Sequence, residues 1–127
     1  MSFIKPNINQ IKIKERINSF LDITPDEDWP HQYNVDEINS YIEIVIYLFS
    51  GTNIEPIIFP IADGGISIQY VKGKLSTGME INLDLEYIIY MCYDKTSETF
   101  IESFEIPLTL DSQTVVKNLI RKNNETN

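Results

Sequence analysis

The sequence predicts an α+β fold: two N-terminal helices, an antiparallel meander of four or five strands, and a short C-terminal helix. Three observations carry this. Apolar residues recur at helical spacing as far as Phe49 and again beyond Asp111. Between those stretches the apolar period falls to two, the mark of half-buried strands. The strand-like runs are joined by short polar turns, too short for the crossovers of a parallel sheet. At 127 residues and 43% hydrophobic, the chain suits one domain over 1–127, with a tail that frays from about residue 123.

The first helix rests on Ile13, Ile17, Phe20 and Leu21, with Lys12, Lys14 and Arg16 off that stripe. Thr24-Pro25-Asp26-Glu27 carries a helix-start pattern of Thr cap, Pro and Glu, but Trp29-Pro30 follows so soon that a single turn is expected. Asn34-Val35-Asp36-Glu37 repeats the pattern ahead of a stripe of Ile38, Tyr41, Ile42, Val45, Leu48 and Phe49, and Ser50-Gly51-Thr52 ends it. Ile44, Ile46 and Tyr47 widen that stripe, so the helix is expected to be deeply buried or pressed against a partner. Its β-branched residues offer a strand alternative, which the capping pattern outweighs.

Strands follow. Asp63-Gly64-Gly65 supplies residues suited to positive φ, and Ile66, Ile68 and Tyr70 then alternate with Ser67 and Gln69. Lys72-Gly73-Lys74 is a turn. Met79, Ile81, Leu83 and Leu85 alternate with Glu80, Asn82, Asp84 and Glu86, which predicts one strand with three carboxylates and an amide on its solvated face. Ile88 to Tyr93 is apolar on both faces, as in a central strand. After the turn Asp94-Lys95-Thr96-Ser97 the chain returns from Phe100 to Ile106. Asp111 is the expected cap of a short last helix through Val115, Val116, Leu119 and Ile120, with Lys117, Arg121 and Lys122 toward its C-terminal end.

Charge narrows the partners. The formal net charge is -9, and no Lys or Arg occurs between Asn18 and Val71, where nine Asp and Glu residues fall. Such a field disfavours nucleic acid and anionic membranes and favours a basic protein. No apolar run approaches the roughly 20 residues needed to span a bilayer, and Met1 to Asn7 has no secretory pattern. Cys92 is the lone cysteine and has no intramolecular disulfide partner. A cytoplasmic protein is expected.

No residues are assigned to catalysis, a cofactor or a metal. There is no phosphate-binding glycine loop with its lysine. His31 is the only histidine, and Asp26, Glu27 and Asp28 beside it lack the ligand spacing of a calcium loop, so a solvated acidic loop with an exposed histidine is expected. Cys92 lies among apolar residues, the setting of a structural thiol. Glu80, Asp84 and Glu86 offer an acid–base pair in principle, yet their alternation is that of any solvated sheet face. The aromatics lack the basic interleaving of a nucleic-acid surface. Trp29, in an acidic proline-flanked loop with Tyr33 close behind, is either a lid on the core or an anchor for a partner.

Pro56, Pro60, Asp63, Gly64, Gly65 and Ile66 resemble in order and spacing a group of small uncharacterised bacterial proteins, and Asp28-Trp29-Pro30 stands near their upstream motif, retaining only its tryptophan. Their pattern runs Pro, Pro, Asp-Gly-Gly-Ile and then Glu-Trp, behind an upstream Gly-Trp-Asp-Gly. The resemblance spans Trp29 to Tyr90. Gln69-Tyr70 stands here in place of Glu-Trp, and Gln69 cannot ionise. The resemblance implies a single-domain accessory protein and brings no activity.

The combined expectation is an acidic interaction module (an antitoxin, an immunity-type inhibitor or an accessory subunit) that binds a basic protein through Trp29, Tyr33, Glu80, Asp84 and Glu86. One alternative is a homo-oligomeric scaffold, a symmetric dimer covering the apolar faces of the Ile38–Phe49 helix and the Tyr87–Tyr93 strand. Another is a ligand binder or enzyme with a pocket near Trp29, His31 and Asp63.

Overall fold

The computed structural model describes residues 8–126, so the Met1–Asn7 segment read for a leader, and the last residue of the expected frayed tail, lie outside them. Helix α1 (Ile8–Asn18) tightens into a 3-10 turn at Ser19–Asp22, and α2 (Val35–Phe49) follows an irregular segment. Five strands then run as β1 (Ile57–Pro60), β2 (Ile66–Lys72), β3 (Leu75–Asn82), β4 (Tyr87–Asp94) and β5 (Thr99–Pro107), before α3 (Leu110–Thr126). Every pairing is antiparallel and the spatial order is β1-β2-β3-β4-β5, a meander in which each strand lies beside its sequence neighbour.

All three helices lie on one face of this sheet. Ile13, Ile17 and Phe20 from the first segment, Ile38, Tyr41, Val45 and Leu48 from α2, and Val116 and Ile120 from α3 are buried. They join Ile58, Ile66, Ile68, Met79, Ile81, Ile88, Tyr90 and Cys92 from the sheet in a single core. The start of α2 is fixed locally by a capping box. The Asn34 side chain accepts from the Glu37 N–H at 2.8 Å, and the Glu37 carboxylate accepts from the Asn34 N–H at 3.2 Å.

Several expectations change. One helix rather than two stands at the N-terminus, with α2 following only after the irregular segment, where Asp26 and Trp29 exchange backbone hydrogen bonds of 2.9 and 3.2 Å across the single turn expected there. The C-terminal helix is not short; its 17 residues make it longer than α1 or α2. Thr109 rather than Asp111 caps it, its hydroxyl accepting from the Ser112 N–H at 3.1 Å. Its end does not fray at residue 123, since Asn123 is 9% exposed and donates to the Tyr90 hydroxyl at 3.0 Å. The alternation from Met79 to Glu86 is not one strand. β3 stops at Asn82, whose buried side chain accepts from the Leu85 N–H at 2.8 Å and bends residues 83–86 into a turn that leaves Leu85 72% exposed.

Candidate functional site

The Asp-Gly-Gly turn is built around His31 and Tyr33. Gly64 and Gly65 take φ of 113° and 88°. Tyr33 clamps the turn, accepting from the Ile61 N–H at 3.0 Å and donating to the Gly65 carbonyl at 2.6 Å. The His31 N–H donates to the Ala62 carbonyl at 3.1 Å, and its ring lies edge-on to Tyr33 at 4.6 Å. The imidazole Nε2 pairs with Glu37 Oε2 at 2.7 Å. His31 is therefore not the exposed histidine of a solvated loop: its side chain is 17% exposed, and that of Glu37 9%. The β3–β4 turn brings Asp84 to the same place, with one ligand atom from each of His31, Glu37 and Asp84 all within 4.8 Å of one another. Below them Tyr41, fully buried, accepts from the Leu83 N–H at 3.0 Å. Burial holds the Tyr41 phenol well above its ordinary value; the Leu83 N–H works against this, and the charges of Glu37 and Asp84 add to it.

The five residues expected to meet a partner sit in different local settings. Tyr33 is 3% exposed with its hydroxyl bonded inside the turn, so it offers a partner nothing. Trp29 is half-buried, and its indole N–H is enclosed with no hydrogen-bond partner among the described residues. Asp84 and Glu86 are exposed on the β3–β4 turn, and Asp84 turns toward His31. Glu80 alone stands on the strand, paired in register with Ser67 and Ile89. The three carboxylates fall apart because the strand ends at Asn82. Asp63 lies in the turn packed against His31, as the pocket alternative expected, but its side chain is exposed.

The sequence pointed to the sheet face turned away from the helices only through Glu80 and the Tyr87–Tyr93 strand, and not to the groove that lies on it. Strand register sets its side chains in three cross-strand rows. The first runs Phe59, Ser67, Glu80, Ile89 and Glu105; the second Ile57, Gln69, Gly78, Met91 and Ser103; the third Val71, Ser76, Tyr93 and Phe100. β4 is thus apolar on both sides, but only Ile88, Tyr90 and Cys92 are covered. Ile57, Val71 and Phe100 are 57%, 61% and 63% exposed. At the centre of the second row Gly78 contributes no side chain, and a Cβ added there would touch nothing within 4 Å. The result is a groove of about 730 Å³ over Gly78, flanked by Ile57, Val71, Met91, Tyr93 and Phe100. Glu80 and Glu105 lie on the neighbouring row, while Glu55 and Lys72 reach the groove edge. Exposed apolar residues gathered around a groove, here interleaved with Gln69 and Ser76, are a common form of interaction site.

No family model, no curated protein and no solved structure matches this chain. Among the described residues, no helix is long and apolar enough to cross a membrane.

Proposed function

We propose that the chain is an acidic protein-interaction module, of the antitoxin, immunity-inhibitor or accessory-subunit kind, that docks a basic protein on the open face of its sheet. The observation that carries this reading is the groove over Gly78, with Ile57, Val71 and Phe100 left exposed around it. An apolar side chain of the partner enters the groove, while its lysines or arginines face Glu80 and Glu105. The net charge of -9 supports a basic partner by accelerating encounter and disfavouring acidic competitors. Trp29, Asp84 and Glu86 then lie outside the principal contact, and Tyr33 serves only the turn.

The test compares the tagged chain with a Val71→Glu/Phe100→Glu variant, both changes at exposed positions, in affinity capture from the host at low and moderate salt. The captured protein is then purified and its binding measured. A basic protein that binds the parent chain one to one, weakens with salt and is lost with the variant supports the reading. Equal binding by the variant refutes the groove as the contact. The open face of an antiparallel sheet also suits packing against a second copy. A concentration-dependent dimer that the same variant dissociates, with no other protein bound, replaces the proposal with self-association.

A further inference from the structure

We infer that His31, Glu37 and Asp84 form a binding site for a first-row divalent transition-metal ion, independent of the sheet-face groove. The three come from separate parts of the chain: the segment before α2, the first turn of α2, and the β3–β4 turn. Their ligand atoms converge within 4.8 Å, and His31 Nε2 and Glu37 Oε2 are already 2.7 Å apart. Ligands held about 2.0–2.2 Å from one ion stand roughly 3–3.6 Å from each other, so an adjustment of about 1 Å closes the site. Asp84, on an exposed turn, supplies most of it by moving inward, while the His31–Glu37 pair opens by a few tenths of an ångström, roughly from hydrogen-bond to ligand spacing.

The support around the ligands is that of a positioned site. Glu37 Oε1 accepts from the Asn34 N–H, which leaves Oε2 directed at His31. The imidazole is fixed by the edge of Tyr33, the backbone bond to Ala62 and the close approach of Gly64, where an added Cβ would lie 3.1 Å from Nδ1. Behind the site the buried Tyr41 hydroxyl accepts from the Leu83 N–H and anchors the backbone next to Asp84. Charge also favours a cation: two carboxylates share the site, and among the described residues no Lys or Arg pairs with either.

The donor set selects the ion. One imidazole and two carboxylates suit Zn²⁺, Mn²⁺, Fe²⁺ or Co²⁺, whereas Mg²⁺ and Ca²⁺ prefer oxygen alone. With three protein ligands, water completes the coordination. A bound ion ties the β3–β4 turn to the start of α2 and to the Asp-Gly-Gly turn behind His31.

The experiment titrates chelator-treated full-length protein with Zn²⁺ by calorimetry and with Co²⁺ by visible absorption, using Mg²⁺ as the control. The expected result is one Zn²⁺ per chain, a rise in melting temperature, and a Co²⁺ d–d band. Asp84→Asn, an exposed change that leaves the core untouched, weakens Zn²⁺ by at least about tenfold and alters the band; His31→Gln removes both. If His31→Gln does not fold, Asp84→Asn decides. No Zn²⁺ binding up to millimolar, or binding and spectrum unchanged in Asp84→Asn, overturns the assignment.

Discussion

Replacing Gly65 with alanine adds one methyl group where the turn leaves no room for it. At φ +88° an L side chain is strained, and the new Cβ would lie 2.7 Å from the Ile81 carbonyl oxygen. That oxygen belongs to β3, locked in register opposite Ile66, so relief has to come from moving backbone. The left-handed conformation costs roughly 1–2 kcal/mol, and forcing atoms into a packed site about 1–3 more, a total of about 2–5 kcal/mol. Gly78→Ala is the matched comparison. Its Cβ meets nothing within 4 Å and its backbone is free of the positive-φ constraint, so alanine in mid-strand is expected to gain about 0.5–1 kcal/mol. Urea unfolding followed by far-ultraviolet circular dichroism and Trp29 fluorescence measures both. The expected outcome is a midpoint lowered in Gly65→Ala and raised slightly in Gly78→Ala, with the same slope. A Gly65→Ala protein as stable as the parent, or a Gly78→Ala protein destabilised by more than about 1 kcal/mol, refutes the account of the turn and of the groove respectively.

Further expectations follow from the same contacts. Tyr33→Phe deletes the hydroxyl that bridges Ile61 and Gly65, and should cost about 1–3 kcal/mol by chemical denaturation. Tyr41→Phe strands the Leu83 N–H and should cost a similar amount, with the loss of protection at the Leu83 amide visible in hydrogen exchange. Burial raises the phenols of Tyr33, Tyr41 and Tyr90 above the ordinary value of 10.0. Their unfolded forms lose protons first as pH rises, so stability should hold below about pH 10 and fall above it; a pH series of urea midpoints tests this, and Tyr90→Phe should flatten the fall. Val71→Glu and Phe100→Glu, both at exposed positions, should change stability by no more than about 1 kcal/mol while abolishing partner binding.

What the sequence made legible was local. Asn34 and Glu37 are three positions apart, and their reciprocal bonds form whenever the helix starts, so the pattern identified α2 before any tertiary contact was known. The two glycines after Asp63 likewise state their backbone need directly. The alternation from Met79 to Glu86 misled because a period of two does not reveal where a strand ends. Asn82 and Asp84 are turn formers within that run, and once Asn82 bonds the Leu85 N–H the carboxylates of Glu80, Asp84 and Glu86 part company. The pairing of His31 with Glu37 depends on how the segment before α2 folds back over the Asp-Gly-Gly turn, and Asp84 reaches them only through the sheet. No spacing in the chain encodes that meeting. The groove on the open face was hidden for a similar reason: Ile57, Val71, Met91 and Phe100 belong to four strands and become neighbours only through register.

A sheet covered by helices on one side needs apolar residues at alternate positions only. β2 approaches that economy, with Ile66, Ile68 and Tyr70 inward and Ser67 and Gln69 outward. β4 does not: Ile89, Met91 and Tyr93 form a second apolar set that the helices never cover, and Ile57 and Phe59 extend it onto β1. No helix packs on that second set, and exposed apolar surface invites aggregation. The acidic excess offsets the hazard, since two copies carrying -9 each repel on approach and would bring their Glu80 and Glu105 rows together. The same charge attracts a basic protein. Apolar face and acidic surface thus complement each other under the proposed reading: the charge discourages the face from meeting itself and favours a partner of opposite sign, so a basic protein is a better occupant of the groove than a second copy.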